Sequence, residues 1–179
     1  FEVWGSLPHK SRRAHLLDFR RELVRRMDDI IDMVHRENGK PRADAANELF
    51  LVVSHLTHAA NRAEELFKPK AVSAGMLANH RARVSYHPYG VVGVIGPWNY
   101  PIFTPMGSIG YALAAGNTVV FKPSELTPFS GKLLVECAEA AIPIPDVFQL
   151  VTGFGETGNA LARARVDKLA FTGSPATGK

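Results

Sequence analysis

Cysteine is almost absent from this sequence of 179 residues, in which Cys137 is the only one. A single cysteine excludes an intramolecular disulfide framework and is typical of a reducing compartment. No run of about eighteen apolar residues occurs, which predicts no membrane-spanning helix. The amino terminus also lacks the charged segment followed by an apolar one that marks exported proteins, so we expect a cytoplasmic protein with no membrane partner.

A strong excess of one charge is also lacking. Lys and Arg number 21 against 17 Asp and Glu, for a net charge of +4. The arginines at positions 12, 13, 20, 21, 25 and 26 are interleaved with acidic residues, which is typical of a solvated helix face. No basic groove rich in aromatic residues accompanies them, so we expect no nucleic-acid partner.

A metal site is not indicated either. His35, His55 and His58 are the histidines that suggest one, but no Cys or acidic ligand joins them at the intervals typical of zinc. We expect these histidines to lie on helix surfaces or to pack against neighbours.

Residues 11–67 carry the spacing of amphipathic helices. Apolar residues recur three and four positions apart from Leu16 to Val34, which predicts a first helix. Asn38-Gly39, followed by a proline two residues later, is typical of a helix end. A second helix with one apolar stripe is predicted over about 43–67.

From residue 81 the pattern changes to strands that alternate with helices. Residues 81–87 alternate as in a strand, and a turn follows. Further strands are predicted at 91–95, 118–121, 147–151 and 168–171, and helices at about 102–115, 128–141 and 157–165. Because the later strands are apolar on both faces and separated by helices, they predict an α/β fold with a parallel sheet.

Glycine and proline cluster in the turns that follow these strands, at Gly96-Pro97, Lys122-Pro123, 153–158 and Gly173. Right-handed crossovers bring the carboxyl ends of parallel strands to one edge of the sheet. Ligands of such sheets bind at that edge. The turns therefore predict a ligand site there.

Residues 153–158 form a GxGxxG sequence between a strand and a helix. Its glycines could admit a pyrophosphate to the amino end of the helix. The acidic residue expected about twenty positions further on does not occur before the chain reaches Lys179. Glycine-rich turns also arise from packing, so this motif alone leaves both interpretations open.

Lys122 and Glu125 lie three positions apart in another of these turns. A carboxylate there can accept hydrogen bonds from the hydroxyls of a ribose and would repel a 2′-phosphate, which would favour NAD over NADP. The alternative is an exposed loop with a helix cap.

Asn99 lies between two prolines, Pro97 and Pro101, directly after a buried strand. A side-chain amide held in such a rigid segment can donate to an oxyanion, a contribution of about 3–4 kcal/mol to a transition state. The alternative is an asparagine that only ties down the loop.

Together these segments resemble the aldehyde dehydrogenase superfamily. The resemblance rests on GVVGVIGPWNYP at 90–101, AGNTVVFKPSELTP at 115–128 and FTGS at 171–174. It covers nearly the whole chain, whereas the chain covers less than half of a typical member, so we expect an amino-terminal fragment. It implies a Rossmann-like doubly wound parallel sheet, the cofactor domain of the aldehyde dehydrogenase fold, preceded by a helical segment and one β-arm strand.

The resemblance also implies a domain division and a set of site residues. Residues 1–80 would be helices packed on the cofactor domain, 81–89 part of an oligomerisation β-arm, and 90–179 a truncated NAD-binding domain without its catalytic domain. Asn99 would be the catalytic oxyanion-hole amide. The residues implied to bind NAD, or possibly NADP, are Ile95, Pro97, Trp98, Lys122, Ser124, Glu125, Gly155, Gly158, Phe171, Gly173, Ser174 and Thr177.

Within this set, Lys122 and Glu125 would hold the adenosine ribose and Gly155 and Gly158 would lie near the adenine. Gly173 and Ser174 would meet the pyrophosphate at a helix start, with Phe171, Trp98 and Thr177 lining the pocket.

The implied reaction is oxidation of an aldehyde to a carboxylic acid by an NAD-dependent oxidoreductase, through a thiohemiacetal with a cysteine. In the family the nucleophilic cysteine and the general-base glutamate follow the FTGS motif, so both would lie outside this chain. Cys137 is predicted to be a buried residue in the middle of a helix instead. The implied partners are an aldehyde and further copies of the protein, in a homodimer or homotetramer. The alternatives are a dinucleotide-binding fragment without activity and an oligomer-forming piece without a ligand.

Overall fold

The computed structural model describes residues 1–77 and 79–178. The chain begins with helices, because apolar residues at helical spacing give each of them a face that can be buried. These helices are α1 (Glu2–Ser6), α2 (His9–Arg25), α3 (Met27–Asn38) and α4 (Arg42–Phe67). None of the helices within the described ranges is long and apolar enough to cross a membrane.

The prediction of one continuous helix up to Asn38 was wrong, because the chain breaks at Arg26 (φ −99°, ψ 21°). Both α2 and α3 pack against α4 and against a later helix, α6 (Pro128–Ala141). The apolar spacing continues across the break and therefore does not reveal it. The predicted helix end is confirmed, since Gly39 is left-handed (φ 79°) and its N–H donates to the carbonyl of His35 at 2.9 Å.

A short antiparallel pair follows the helices. Strand β1 (Lys70–Val72) pairs with β2 (Ala82–Val84), with Lys70 opposite Val84. The sequence did not predict β1, and β2 is shorter than the strand predicted over 81–87. The partner strand is only three residues long, so the alternating pattern extends beyond the residues that it can pair with.

The remaining elements alternate as predicted. They are β3 (Val91–Ile95), α5 (Phe103–Ala115), β4 (Thr118–Lys122), α6, β5 (Phe148–Leu150), α7 (Gly155–Arg163), β6 (Lys168–Phe171) and α8 (Pro175–Gly178). Helix α7 begins at Gly155 rather than at the predicted residue 157.

The four later strands form one parallel sheet in the order β5-β4-β3-β6. The chain moves outward from β3 to β4 and β5 and then returns to the other side of β3. Right-handed crossovers therefore place α7 on the opposite face from α5 and α6. The α/β, doubly wound sheet predicted from the sequence is confirmed, and the direction of winding reverses beside β3.

The amino-terminal helices cover the face of the sheet that α5 and α6 occupy, since α4 packs on α5 while α2 and α3 pack on α6. Trp4 ties α1 to this layer, because its indole N–H donates to the carbonyl of Leu113 at 3.1 Å. The core includes the large side chains of Leu16, Phe19, Phe121 and Leu134, all fully buried.

The expectation that Arg12 lies on a solvated face was wrong, since its side chain is buried. Its guanidinium donates to the carbonyls of Leu7 and Gly5, which the turn between α1 and α2 leaves without partners. It also lies 2.9 Å from Nδ1 of His9. Spacing alone could not separate Arg12 from its exposed neighbours, because the acceptors become available only when α1 folds back.

Candidate functional site

The carboxyl ends of the neighbouring strands β4, β3 and β6 lie side by side at one end of the sheet. Ile95, the last residue of β3, lies opposite Lys122 on one side and Phe171 on the other. Backbone hydrogen bonds continue the pairing into the turns, from Gly96 N–H to the carbonyl of Lys122 at 3.0 Å and from Thr172 N–H to the carbonyl of Ile95 at 3.1 Å. The turns predicted to bind a ligand are thus adjacent, next to the point where the winding reverses.

The turn after β4 brings a buried cation next to a half-exposed carboxylate. Lys122 is 4% exposed, and its ammonium donates to the carbonyl of Pro123 at 2.9 Å. The same ammonium lies 3.7 Å from Oε2 of Glu125, whose side chain is 41% exposed. Ser124 is buried and its hydroxyl accepts from Leu126 N–H at 3.3 Å. Glu125 is therefore held in place while its carboxylate remains open to solvent.

The glycines of the 153–158 turn have different roles. Position 153 requires a glycine, because its φ is +147° and a Cβ there would overlap the side chain of Thr157. A Cβ on Gly158 would lie 3.7 Å from Cδ of Lys122 and 3.8 Å from Cδ1 of Ile95. Gly155 opens α7 and faces open space. The structure therefore brings Gly158, Lys122 and Ile95 together, with Gly155 at the outer side of the same turn.

The turn after β6 is folded around an aromatic ring. A Cβ on Gly173 would lie 2.5 Å from Cζ of Phe171, closer than any side chain could approach. Ser174 directly precedes α8, and its hydroxyl accepts from Thr177 N–H at 3.2 Å and lies 2.9 Å from the Thr177 hydroxyl. Gly173, Ser174 and Thr177 are exposed.

The segment after β3 presents Asn99 to solvent. Pro97 is half-buried, and Trp98 and Asn99 are exposed. The side-chain oxygen of Asn99 accepts from Tyr100 N–H at 3.1 Å. This bond uses the oxygen of the amide, so its NH₂ group is the end left to donate to a ligand.

Three residues that hold this segment were not predicted from the sequence to do so. Asn38 donates to the carbonyl of Trp98 and Lys40 to the carbonyl of Asn99, each at 2.7 Å. Glu48, which is 1% exposed, accepts from the backbone N–H of Ile102 at 2.9 Å. A signal for Glu48 existed, because it is a charged residue within the apolar stripe of α4, one turn before Val52.

The family model described as the aldehyde dehydrogenase family matches residues 1–179. The chain belongs to the aldehyde dehydrogenase family.

Individual relatives agree with this assignment. The N-succinylglutamate 5-semialdehyde dehydrogenase of Enterobacter sp. (strain 638) is 38% identical in an alignment of 179 positions that covers 99% of this chain and 36% of the relative. A 4,4'-diapolycopene aldehyde oxidase of Methylomonas sp. is 36% identical, with 99% of this chain and 34% of the relative covered. The chain thus spans little more than a third of the length of these relatives.

Solved structures confirm the predicted aldehyde dehydrogenase fold. An aldehyde dehydrogenase of Brucella melitensis biovar abortus 2308 superposes with a TM-score of 0.93 at 31% identity, covering 99% of this chain and 37% of that one. An NADP-dependent glyceraldehyde-3-phosphate dehydrogenase of Bacillus halodurans C-125, solved with NADP, has a TM-score of 0.91 at 30% identity, covering 99% of this chain and 38% of that one.

The single cysteine of this aldehyde dehydrogenase chain is not a reactive thiol. Cys137 is fully buried in α6, as the sequence predicted. Burial raises the pKa of Cys137 to about 11, an effect that the positive charge of Arg26 opposes only in part. The thiol therefore stays protonated at neutral pH.

The histidines considered for a metal site lie in other contacts. His55 packs edge-on against Phe103, with its Nδ1 3.2 Å from the hydroxyl of Tyr111. Nδ1 of His35 lies 2.7 Å from the carbonyl of Lys40. Within residues 1–77 and 79–178, no three His, Cys, Asp or Glu side chains are grouped so that they could hold a metal ion.

Proposed function

We propose that this chain is the cofactor-binding part of an NAD-dependent oxidoreductase that converts an aldehyde to a carboxylic acid. The observation that carries the proposal is the position of Ile95, which lies between Lys122 and Phe171 with Asn99 in the segment just beyond it. A dinucleotide site and a polarising amide would therefore be adjacent. Membership of the aldehyde dehydrogenase family supports the same reaction.

The described residues fit the adenosine half of a dinucleotide. The carboxylate of Glu125 is held beside Lys122 yet open to solvent, as an acceptor for ribose hydroxyls must be. Gly158 and Gly155 leave room for a ring next to Ile95, because neither has a side chain that would fill the turn. Ser124 stabilises the turn that carries Glu125. Glu125 would disfavour a 2′-phosphate by charge repulsion, which is why we propose NAD rather than NADP.

The other half of the cofactor would lie along the turns after β6 and β3. Gly173 and Ser174 would meet the pyrophosphate with backbone and hydroxyl groups at the start of α8. Phe171, Thr177, Pro97 and Trp98 would line the path towards the reacting carbon. The cofactor, when bound, supplies the acceptor for the hydride that leaves the aldehyde carbon.

Asn99 would stabilise the negative charge that develops on the aldehyde oxygen. Its NH₂ group is free to donate because its oxygen already accepts from Tyr100 N–H. We propose that a cysteine outside this chain attacks the aldehyde to form a thiohemiacetal, and that a glutamate outside the chain acts as the general base. Cys137 cannot serve, because it is buried in α6 and its pKa is raised.

The β1–β2 pair is exposed, and we propose that it belongs to an arm that joins copies of the protein into a homodimer or homotetramer. The alternative function is dinucleotide binding without catalysis. It is favoured by the buried position of the only cysteine.

Replacement of Asn99 by alanine tests the proposed function. In the intact protein, Asn99→Ala should lower kcat with an aldehyde by about 10²- to 10³-fold, because one oxyanion donor is lost. The affinity for NAD, measured by fluorescence titration, should hardly change, since the cofactor turns remain intact. Asn61→Ala on α4, which replaces an exposed asparagine whose side-chain oxygen accepts from Arg13, is the matched control. Unchanged turnover in Asn99→Ala would remove Asn99 from this role.

A further inference from the structure

The peptide unit that joins Asn99 to Tyr100 is held at both of its polar ends. Its carbonyl oxygen accepts from the ammonium of Lys40 at 2.7 Å. Its N–H donates to the side-chain oxygen of Asn99 at 3.1 Å. Rotation of this peptide unit would break both hydrogen bonds at once. The orientation of the Asn99 side chain is therefore coupled to the position of Lys40.

Lys40 is itself fixed by two further contacts. Its ammonium donates to Oε2 of Glu48 at 2.7 Å, and it lies 4.4 Å from the centre of the Tyr100 ring. The side chains of Lys40 and Glu48 are 12% and 0% exposed. A charge pair so far removed from water keeps a defined geometry, because neither group has solvent as an alternative partner.

Glu48 also binds the backbone at the start of α5. Its Oε1 accepts from the backbone N–H groups of Ile102 and Phe103, both at 2.9 Å. These N–H groups lack partners inside the helix, and the positive end of the helix dipole favours a carboxylate there. Asn38 adds one bond, to the carbonyl of Trp98 at 2.7 Å. The segment from Trp98 to Phe103 is thus attached at several points to the end of α3 and to α4.

We propose that Lys40, supported by Glu48, is a positioning residue that sets the orientation of the Asn99 amide for catalysis. The inference rests on the proposed function, in which Asn99 donates to the aldehyde oxygen. Lys40 does not touch the substrate or the cofactor, and it acts only through the Asn99–Tyr100 peptide unit. A displacement of a reacting group by about 1 Å can cost about 10²-fold in rate, so loss of this restraint should affect turnover.

The test is a double-mutant cycle in the intact protein. Lys40→Met should lower kcat about 10- to 100-fold, with less than about a twofold change in the dissociation constant for NAD. Lys40→Arg keeps a charged donor and should recover most of the turnover. Lys132→Met is the matched control, since Lys132 is an exposed lysine of α6 that pairs with Glu136. This control should keep the turnover of the unmodified protein.

The background of Asn99→Ala separates positioning from a merely structural role. If Lys40 acts through Asn99, Lys40→Met should cause no further loss of kcat in that background. A general structural defect would lower kcat by the same factor in both backgrounds, and this result would overturn the inference. Unchanged kcat in the Lys40→Met single variant would overturn it as well.

Failure of the proposed function has a different signature. If Asn99→Ala keeps full turnover, the oxyanion role itself is wrong and the inference fails with it. If Asn99→Ala loses turnover and Lys40→Met does not, only the positioning role is wrong. Should Lys40→Met not fold, because Glu48 is left buried without its partner, the double variant Lys40→Met/Glu48→Gln takes its place, since the neutral amide oxygen can still accept from Ile102 N–H. This double variant should lower kcat in the unmodified background and not in the Asn99→Ala background, and equal losses in both would count against the inference.

Discussion

Single buried polar residues organise this molecule through the partners that they bind inside it. Glu48 accepts two backbone N–H groups and one ammonium. Arg12 donates to carbonyls left free by the turn before α2, and burial lowers its pKa. Lys122 donates to the carbonyl of Pro123 and so stays next to Glu125. The segment around Asn99 and the turn that carries Glu125 are therefore held by contacts within the chain.

We predict that Glu125→Ser weakens the preference for NAD over NADP. Without the carboxylate, the repulsion of a 2′-phosphate disappears, and the ammonium of Lys122 is left to attract it. The ratio of the NADP to the NAD dissociation constant in the intact protein should fall about tenfold, equivalent to about 1.4 kcal/mol. Glu125→Gln, which removes only the charge, should shift the ratio in the same direction. Glu139→Gln late in α6 is the control, and an unchanged ratio in both Glu125 variants would contradict the prediction.

The starts of the two central helices, α5 and α6, depend on other elements. Neither helix has a side-chain cap from its own N-cap residue. Glu48 of α4 supplies the acceptor for α5, and Glu37 of α3 supplies it for α6. The carboxylate of Glu37 accepts from Phe129 N–H at 2.8 Å and from Ser130 N–H at 2.7 Å. The amino-terminal helices therefore complete the helices that follow the site turns.

Glu37→Ala should lower the free energy of unfolding by about 1–2 kcal/mol, since a helix cap and a favourable dipole interaction are lost together. It would also leave the buried hydroxyl of Ser130 without its carboxylate acceptor. Urea unfolding followed by circular dichroism measures the change. Glu37→Gln keeps an acceptor oxygen and should lose less. Glu64→Ala removes an exposed glutamate of α4, and equal losses in Glu37→Ala and Glu64→Ala would show that Glu37 is not a cap.

In the whole molecule, the turns at the carboxyl ends of the strands lie together, but several residues around them are exposed to solvent. The turns after β3, β4 and β6 are adjacent, yet Trp98, Phe154 and Gly173 are exposed. Strand β6 is at the edge of the sheet, where Leu169 is 37% exposed. The chain spans 36% of the length of a curated relative. A dinucleotide bound to these turns would therefore keep one side in water.

We expect this chain by itself to bind NAD without turning it over. Calorimetric titration should give weak, saturable binding, because the adenosine turns are present and no reactive thiol is. Addition of an aldehyde should produce no NADH absorbance. Glu125→Ser should weaken the titration with NAD, which serves as the control for the site. Absence of any binding, together with self-association in sedimentation, would favour an oligomer-forming role instead.

The sequence alone determined the alternation of strands and helices and the positions of the turns after the strands. These features are local. Burial of one face of an element gives apolar residues at a regular spacing, and burial of both faces of a strand gives a continuous apolar run. Cys137 as a buried thiol was predictable for the same reason, whereas Gly39 as a helix end was predictable from the Asn-Gly pair and the proline that follows it. The family motifs added the roles proposed for Asn99 and Glu125, which no periodicity could supply.

Only the tertiary structure decided which residues hold the segment around Asn99. Lys40 and Asn99 are 59 positions apart, and Glu48 and Ile102 are 54 apart. The break at Arg26 and the burial of Arg12 also depend on packing between helices. Hydrogen bonds between distant residues form when elements meet at a given angle and distance, and a local pattern carries no record of either.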